Sequence, residues 1–198
     1  MTKEALIIFV KNPELGKVKT RLAVAVGEEK ALEIYKLLLI HTNKVTKKLL
    51  QDKWVFYSDL IDNNDLWDND HYHKAVQSDG DLGEKMLDAF QRCFDKGYEN
   101  ICIIGSDLMA IDESVIQGAF ISLNADDVVI GPAKDGGYYL LGMNKLHSSL
   151  FQDKKWSTES VLGDTLSNIK DQGLSYSRLD VLNDIDTEDD WNAHLDSL

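Results

Sequence analysis

The sequence has only two cysteines, only two prolines and no long apolar segment. Its cysteines, Cys93 and Cys102, lie outside any CxxC pair, which argues against a zinc or dithiol redox site. No window of roughly 18 apolar residues is present that could cross a bilayer as a helix, so we expect no membrane span. The N-terminal apolar run ALIIFV (5–10) is too short for a secretory signal. We therefore expect a cytoplasmic protein whose cysteines are free thiols packed in the core.

Positive charge is scarce as well. The chain has 21 lysines and arginines against 34 aspartates and glutamates, for a formal net charge of −13. So acidic a surface repels a phosphate backbone, and we expect no nucleic-acid partner. The length of 198 residues and the 43% hydrophobic content suit one domain with a buried core, which we expect to span residues 1–198. Small anions can still bind where cations are concentrated locally.

Strand-like and helical patterns alternate along the chain. The apolar runs at 5–10, 54–58 and 101–105 predict strands that are buried on both faces, as in a parallel sheet covered by helices. The short connection between the strand-like runs 127–133 and 138–143 predicts a hairpin. The remaining predicted elements are helices at about 28–50, 83–96, 113–123, 158–171 and from 188, and a strand near 174–181. The pattern predicts an α/β fold with a mixed, mainly parallel sheet between two helical layers.

A basic segment, KNPELGKVKTR (11–21), directly follows the first predicted strand. It carries four cations and one acid, a local charge of +3 (four minus one), within an acidic chain. Ligands of α/β sheets bind outside the carboxyl ends of the strands, and lysine and arginine neutralise phosphate oxygens. The segment therefore predicts a phosphate-binding loop, with a solvated basic loop as the alternative. Its candidate phosphate-binding residues are Lys11, Pro13, Gly16, Lys17, Lys19, Thr20 and Arg21.

Two aspartates further along the chain are candidates for binding a divalent cation. Asp107 directly follows the apolar run 101–105, so it belongs at the same sheet edge as the basic loop. Asp184 and Asp186 lie in an acidic segment ahead of the last predicted helix, and we choose Asp186 as the second candidate. Mg²⁺ is typically held by one or two carboxylates together with substrate oxygens. The alternatives are an aspartate that bonds to its own loop and a solvated acidic loop.

Two glycine-containing segments have both a structural and a functional interpretation. Asp135, Gly136 and Gly137 lie between two predicted strands, which favours a hairpin turn. The same residues are our candidates for contacting a sugar or an acceptor. In SDGDLGEKM (78–86), a helix cap is the favoured interpretation. The alternative places Gly83 in the nucleotide site, because a helix N-terminus exposed there would attract an anion or a base.

Other polar residues are assigned structural roles. Asp112 is predicted to cap the helix that follows it. Thr187 and Asp190 are predicted to form a capping box at the start of the last helix. His71 and His73 have the spacing of a metal-binding pair, but no third ligand is evident in the sequence. We therefore favour a surface loop for these two histidines.

Six segments, in order along the chain, resemble one bacterial family, the radical-SAM/selenodomain-associated glycosyltransferase-like transferases of the first type. The segments are KNPELGKVKTRLA, GDLGEKM, GSDLMAID, GPAKDGGYYLLG, WSTE and DIDTEDD. This family is similar to molybdenum-cofactor and 2-phospholactate guanylyltransferases, which implies a GT-A (nucleotide-diphospho-sugar transferase) fold. The resemblance also implies that the first segment grips nucleotide phosphates and that Asp107 and Asp186 hold Mg²⁺ or Mn²⁺. One difference is Met109, where the family commonly has proline.

Together, the residues and the resemblance predict a Mg²⁺-dependent transferase that uses a nucleoside triphosphate or a nucleotide-sugar and an unidentified acceptor. Lys19, Arg21 and Asp107 are the predicted catalytic residues, since charge neutralisation supplies most of the rate in phosphoryl chemistry. The long basic loop favours nucleotidyl transfer, and glycosyl transfer from a nucleoside-diphosphate sugar is the alternative. Met109 keeps open a second alternative of another class, a non-catalytic protein that binds a nucleotide as a sensor.

Overall fold

Strands and helices alternate along the folded chain. The computed structural model describes residues 2–195. Within them, the strands are β1 (Glu4–Val10), β2 (Asp52–Tyr57), β3 (Tyr72–Val76), β4 (Asn100–Ile104), β5 (Val128–Pro132), β6 (Tyr138–Met143) and β7 (Tyr176–Arg178). The helices are α1 (Thr20–Val26), α2 (Glu28–Thr46), α3 (Leu82–Phe94), α4 (Glu113–Ser122), α5 (Val161–Asp171) and α6 (Glu188–Leu195), with a 3-10 helix at Ser148–Phe151. None of the helices in this part of the chain combines the length and the apolar character that crossing a membrane requires.

The seven strands form one mixed sheet in the order β3-β2-β1-β4-β6-β5-β7. β6 runs antiparallel to both of its neighbours, β4 and β5. The other pairings, which join β1 to β2, β1 to β4, β2 to β3 and β5 to β7, are parallel. The prediction of a mixed, mainly parallel sheet that contains a β5–β6 hairpin is therefore confirmed.

Helices cover both faces of the sheet. Alternate residues of β1 point to opposite faces, so Leu6 and Ile8 join one apolar cluster while Ala5 and Ile7 join the other. α1, α2 and α4 contribute to the first cluster, and α3, α5 and the 3-10 helix contribute to the second. All five residues of β4 are buried, which explains the unbroken apolar run that predicts this strand. The predicted arrangement of one sheet between two helical layers is confirmed.

The sequence patterns miss β3 and α1. β3 lies at the edge of the sheet and has a weak apolar pattern, in which Tyr72 and Ala75 are buried and the residues between them are more exposed. His73 belongs to this strand and stacks on Trp54, with 4.5 Å between the ring centroids. It lies at the surface as predicted, but the prediction of a loop is wrong for it. α1 begins inside the segment predicted to be a loop. It ends at Gly27, whose φ of +85° favours glycine.

Two predicted elements, α2 and β7, are longer than the observed ones by about four residues or more. α2 ends at Thr46, about one turn earlier than predicted. Beyond that point, the buried Lys53 ammonium donates to the carbonyls of Leu49 and Gln51, at 2.8 Å each, and these bonds hold the chain in its turn toward β2. The last strand, β7, has three residues instead of the predicted 174–181, because only these residues pair with β5 in register.

Candidate functional site

Several loops meet at one edge of the sheet. Because β1, β2, β4, β5 and β7 run in the same direction, the residues that follow them lie at the edge where ligands of α/β sheets bind. The Ile185 N–H donates to the Asp107 carbonyl at 3.2 Å, which joins the segments after β7 and β4. The Lys134 N–H donates to the Leu182 carbonyl at 3.0 Å, which joins the β5–β6 turn to the same segment. The basic loop and the candidate carboxylates therefore share one sheet edge.

Lys19 lies between Asp107 and Asp186, the two carboxylates that the sequence predicts as metal ligands. Its Nζ is 2.9 Å from Asp107 Oδ2 and 2.8 Å from Asp186 Oδ1. The Lys19 side chain is only 5% exposed, whereas Asp107 is 41% and Asp186 is 25% exposed. Of the four cations in the basic loop, Lys19 is thus the one that the fold buries against the carboxylates.

The backbone and the charge of Lys19 are both held by this arrangement. Its φ of +47° and ψ of +44° place it in the left-handed region directly before α1, which costs a non-glycine residue roughly 1–2 kcal/mol. Burial by itself lowers the pKa of the Lys19 ammonium, but the charges of Asp107 and Asp186 and their hydrogen bonds outweigh burial and raise it. Lys19 is therefore a fixed positive charge at neutral pH.

Arg21 and the start of α6 fix Asp186. Arg21, in the first turn of α1, donates from Nη2 to Asp186 Oδ2 at 2.5 Å, although its own side chain is largely exposed. The Asp186 N–H donates to Asp190 Oδ2 at 3.2 Å. The Thr187 N–H donates to the same oxygen at 2.8 Å, and the Asp190 N–H donates back to Thr187 Oγ1 at 3.2 Å. The predicted capping box is confirmed, and together with the bond from the Asp186 N–H it fixes the backbone at Asp186.

Asp184, two residues before the predicted ligand Asp186, also belongs to this group of carboxylates. Its Oδ1 is buried and has no hydrogen-bond partner within the described residues. Burial raises the pKa of Asp184 to about 8, with further increases from the charges of Asp107 and Asp135 and a smaller decrease from Lys19. The alternation of Asp184 and Asp186 around a buried Ile185 was the available signal, but it does not say which aspartate is left without a partner.

The other candidate phosphate-binding residues of the basic loop are exposed: Lys11, Pro13, Gly16, Lys17 and Thr20. Lys17 pairs with exposed Glu14 at 2.7 Å, and its N–H donates to the Glu14 carbonyl at 3.2 Å. Gly16 has a φ of +75°, which makes glycine the favoured residue for this turn. The structure therefore brings Lys19 and Arg21 to the carboxylates and leaves Lys11 and Lys17 at the surface of the loop.

Asn12, which is not among the predicted site residues, holds the basic loop against the loop after β2. The Asn12 side chain is buried, its amide donates to the Leu60 carbonyl at 2.9 Å, and its Oδ1 accepts from the Asp59 N–H at 3.0 Å. The Asn12 N–H donates to Ser58 Oγ at 3.1 Å. An asparagine before a proline reads as an ordinary turn residue, so the sequence carried no signal for this role.

Tyr35 of α2 links the basic loop to the loop after β4. Its hydroxyl accepts from the Lys11 N–H at 2.8 Å and lies 3.1 Å from the Lys11 carbonyl and 3.3 Å from Ser106 Oγ. Burial raises the pKa of Tyr35 to about 12, so the hydroxyl stays protonated and can donate. The residue thereby fixes the spacing between the two loops that carry Lys19 and Asp107.

We expect Tyr35→Phe to lower the free energy of unfolding by about 1–3 kcal/mol, because the Lys11 N–H loses its acceptor in a partly buried position. The measurement is thermal unfolding, with Tyr176→Phe as the control. Tyr176 is 43% exposed on β7, and its variant is expected to melt within about 1 °C of the wild type. Equal melting temperatures for Tyr35→Phe and wild type would contradict the assigned role.

The DGG segment forms the hairpin turn that its sequence favours. Asp135 Oδ1 accepts from the Gly137 N–H at 2.9 Å. Gly136 has a φ of +89°, and a Cβ on it would lie 2.3 Å from the Glu159 carbonyl oxygen. The Gly136 carbonyl accepts from the Leu162 N–H at 2.9 Å. Gly136 thus serves the close packing of the loop before α5, while the carboxylate of Asp135 remains exposed.

Gly136→Ala is expected to destabilise the protein by about 2–4 kcal/mol, because the added methyl group meets backbone and the positive φ strains alanine. Gly163→Ala is the matched control. Gly163 lies exposed in α5 with no atom within 4 Å of an added Cβ, and alanine there should stabilise by up to about 1 kcal/mol. Chemical denaturation of both variants measures the two opposite changes. Loss of stability in both would mean that the close approach of Glu159 is not the cause.

The segment 78–86 forms the predicted helix cap. Asp81 and Glu84 make a complete capping box at the start of α3. Gly83 is buried, and a Cβ on it would lie 2.4 Å from Nε1 of the Trp156 indole. The helix-cap interpretation is confirmed, and the nucleotide-binding role of Gly83 stays a prediction. Asp112 also caps α4 as predicted, by accepting from the Val115 N–H.

The sheet edge supplies carboxylate oxygens without forming a complete metal cage. Within residues 2–195, no group of three or more His, Cys, Asp or Glu side chains is arranged to hold a metal ion. The two predicted ligands, Asp107 and Asp186, both contact the Lys19 ammonium. Asp184 has a buried carboxyl oxygen without a hydrogen-bond partner. Hard divalent cations prefer oxygen ligands and use one or two carboxylates when a substrate supplies the rest. These residues therefore suit a cation that binds together with a phosphate-containing ligand.

Solved structures share this fold. A candidate nucleotide-diphospho-sugar transferase from Desulfovibrio desulfuricans G20 is 34% identical, with a TM-score of 0.90 over 98% of this chain and 87% of that chain. The inositol-1-phosphate CTP transferase from T. maritima is 16% identical, with a TM-score of 0.56 over 98% and 93% of the two chains. A protein from Mycobacterium tuberculosis H37Rv in complex with manganese is 12% identical, with a TM-score of 0.56 over 100% of both chains. The expectation of a nucleotide-diphospho-sugar transferase fold is confirmed.

The sequence also matches one protein family over residues 39–158. This range runs from within α2 to the loop before α5, so it includes Asp107 and Asp135 but neither the basic loop nor Asp186. The comparison with curated proteins found no match. The family match covers more than half of the 198 residues. The chain therefore belongs to the family described as "uncharacterized protein conserved in bacteria" (DUF2064).

Proposed function

We propose that this protein is a divalent-cation-dependent transferase whose donor is a nucleoside triphosphate or a nucleotide-sugar. The observation that carries the proposal is the position of the Lys19 ammonium, which lies within 3 Å of both Asp107 and Asp186. A cation from the loop after β1 and carboxylates from the loops after β4 and β7 converge at one point of the sheet edge. Transfer of a phosphate-linked group needs this combination of fixed positive charge and cation-binding carboxylates.

Asp107 and Asp186 are the residues that would hold the divalent cation. Asp184, whose Oδ1 is unpaired, is a further carboxyl group close enough for the charges of Asp107 and Asp186 to act on it. The manganese complex of the related fold from M. tuberculosis supports Mg²⁺ or Mn²⁺ as the ion. When bound, such an ion supplies positive charge that neutralises phosphate oxygens as a bond to phosphorus or to a sugar carbon is exchanged.

The basic loop would bind the donor phosphates. Lys19 and Arg21 stand at the carboxylates, so they would contact the oxygens nearest the reacting centre. Exposed Lys11 and Lys17, with the backbone around Gly16, would contact the remaining phosphate oxygens. A phosphate chain carries enough negative charge to draw Lys17 away from Glu14 and Lys19 away from the carboxylates, while Arg21 can keep Asp186 through Nη2 and turn its other N–H groups to a phosphate oxygen.

We favour nucleotidyl transfer. In this reaction an acceptor oxygen forms a bond to the α-phosphorus of the triphosphate, and the bond to the β-phosphate oxygen breaks to release pyrophosphate. The inositol-1-phosphate CTP transferase of the same fold supports this choice. Glycosyl transfer, in which the acceptor bonds to the sugar carbon and a nucleoside diphosphate leaves, is the alternative that the D. desulfuricans relative supports.

The acceptor would bind beside the β5–β6 turn. Asp135 is exposed there, and its charge acts on Asp184, so it lies near enough to contact a hydroxyl group of an acceptor. Gly136 and Gly137 bring the turn backbone to the same place. The link to radical-SAM and selenodomain proteins, which the family resemblance of the six segments implies, stays a prediction. The cytoplasmic location also stays a prediction.

The experiment that tests the proposal identifies the leaving group. The protein is incubated with Mg²⁺, each of the four nucleoside triphosphates and a panel of phosphorylated sugars and acids, and pyrophosphate is measured by a coupled pyrophosphatase. Parallel reactions with nucleoside-diphosphate sugars are analysed for free nucleoside diphosphate, and EDTA reactions are the control. Metal-dependent pyrophosphate supports nucleotidyl transfer, and metal-dependent nucleoside diphosphate supports the alternative. Nucleotide binding without either product would favour the non-catalytic sensor over the transferase.

A further inference from the structure

We propose that Lys19 is the resident counter-ion of the metal site, so that a divalent cation and Lys19 compete for the same two carboxylates. In the free protein the Lys19 ammonium holds Asp107 and Asp186, and it must leave them before a divalent cation can bind the same oxygens. The Lys19 ammonium then pairs with phosphate oxygens of the donor. This inference rests on the proposed function and adds a dependence between its two ligands. The metal binds weakly when alone and strongly when a polyphosphate is bound as well.

The contacts of Lys19 show why it would oppose a metal ion. Its Nζ contacts Asp107 Oδ2 and Asp186 Oδ1 at once, at 2.9 and 2.8 Å. Its side chain is 5% exposed, so water does little to screen its charge. A divalent cation on the same oxygens would lie a few ångströms from this ammonium and be repelled by it. Occupation of the carboxylates by one cation therefore excludes the other.

The surroundings allow Lys19 to be exchanged. Lysine is a point charge on a flexible four-carbon stem, so the ammonium can move while the backbone stays in place. Asp186 keeps a partner when Lys19 leaves, because Arg21 holds its other oxygen. Asp107 is 41% exposed, so a cation from solution can reach it. Asp184 adds an oxygen without a partner that Lys19 does not use.

A reciprocal coupling follows from this competition. If a polyphosphate draws Lys19 off the carboxylates, it raises the affinity of the metal, and the metal raises the affinity of the polyphosphate by the same factor. Without a polyphosphate, the energy of breaking the Lys19 ion pairs reduces metal affinity. Removing the Lys19 charge should therefore strengthen the binding of metal alone.

The first test measures Mn²⁺ affinity by electron paramagnetic resonance, with no nucleotide or phosphate present. Lys19→Met is expected to bind Mn²⁺ about tenfold more tightly than the wild type, as typical coupling energies allow. Lys17→Met, two residues away and paired with exposed Glu14, is the matched control and should leave the affinity within about twofold. Adding Asp107→Asn to Lys19→Met should remove the gain. Unchanged or weaker Mn²⁺ binding by Lys19→Met would overturn the inference.

The second test uses the wild-type protein, so it does not depend on how the variant folds. An amine-acetylating reagent is applied with and without saturating Mn²⁺, and the modified lysines are quantified by peptide mass spectrometry. Acetylation of Lys19 is expected to rise several-fold with Mn²⁺, while that of Lys17 stays constant. Bound Mn²⁺ with no change at Lys19 would overturn the inference and leave the proposed function intact. No Mn²⁺ binding by the wild type or by Lys19→Met at millimolar concentration, either alone or with a non-hydrolysable nucleoside triphosphate, would overturn both.

Discussion

Replacing Lys19 by methionine is expected to lower kcat/KM for the donor by about 10²–10³-fold, the cost of removing one well-placed charge from a site that stabilises a developing anion. Methionine keeps the length and the apolar stem of lysine but carries no charge. The Lys19 side chain is 5% exposed and lies against Asp107 and Asp186, so no other lysine of the loop can take its place. Initial rates of product release with the preferred donor measure the effect.

Lys17→Met is the matched control for this prediction. Lys17 lies on the same loop, but it is exposed and pairs with Glu14. Its loss should reduce kcat/KM by less than about fivefold, because a contact from this exposed lysine to an outer phosphate oxygen is screened by water and salt. Lys19→Arg tests whether charge alone is sufficient, since the planar guanidinium cannot reproduce the position of the ammonium between two carboxylates. Equal losses from Lys17→Met and Lys19→Met would contradict the special role of Lys19.

The parts of the fold that follow from the sequence are those decided by local burial. β6 has the predicted bounds, Tyr138–Met143, because a strand in the middle of the sheet is apolar along its whole length. β4 is predicted for the same reason. The edge strand β3 is missed, since one face of an edge strand can carry polar residues such as His73 without cost. Helix caps at Asp81, Asp112 and Thr187 are predicted correctly because a cap depends on neighbours only three residues away.

The site is predictable only in part, because its contacts join distant parts of the chain. The rule that ligands bind at the carboxyl ends of parallel strands places the basic loop and Asp107 at one edge. Lys19 and Asp107, however, are 88 residues apart, and Lys19 and Asp186 are 167 residues apart. The sequence around Lys17 and Lys19 is equally basic, so local pattern gives no reason to bury one and expose the other. That choice is made by the turn at Gly16 and by the start of α1.

Asp184→Asn is expected to stabilise the metal-free protein at neutral and alkaline pH. Burial, with the negative charges of Asp107 and Asp135, raises the pKa of Asp184 from 3.8 to about 8. Between these values the folded state keeps a proton that the unfolded chain releases. The free energy of unfolding of the wild type therefore falls as the pH rises through this window, by up to about 1.4 kcal/mol per pH unit. Asparagine has nearly the same shape as aspartate and does not ionise. The free energy of unfolding of the variant therefore does not fall with pH for this reason.

Thermal unfolding in EDTA at several pH values measures the effect. At about pH 8 the variant should gain about 2 kcal/mol, which corresponds to roughly 4–8 °C in Tm for a chain of this size. At about pH 4 the two proteins should melt at nearly the same temperature, because Asp184 is then protonated in the folded wild type and still about half protonated in the unfolded chain. Asp189→Asn, on an exposed residue of the first turn of α6, is the control and should show no gain that grows with pH.

Mg²⁺ should stabilise the wild type more than Asp184→Asn, because a bound cation offsets the charge that the variant lacks. An equal gain at pH 4 and pH 8 would mean that Asp184 acts through packing and that its charge is not the cause.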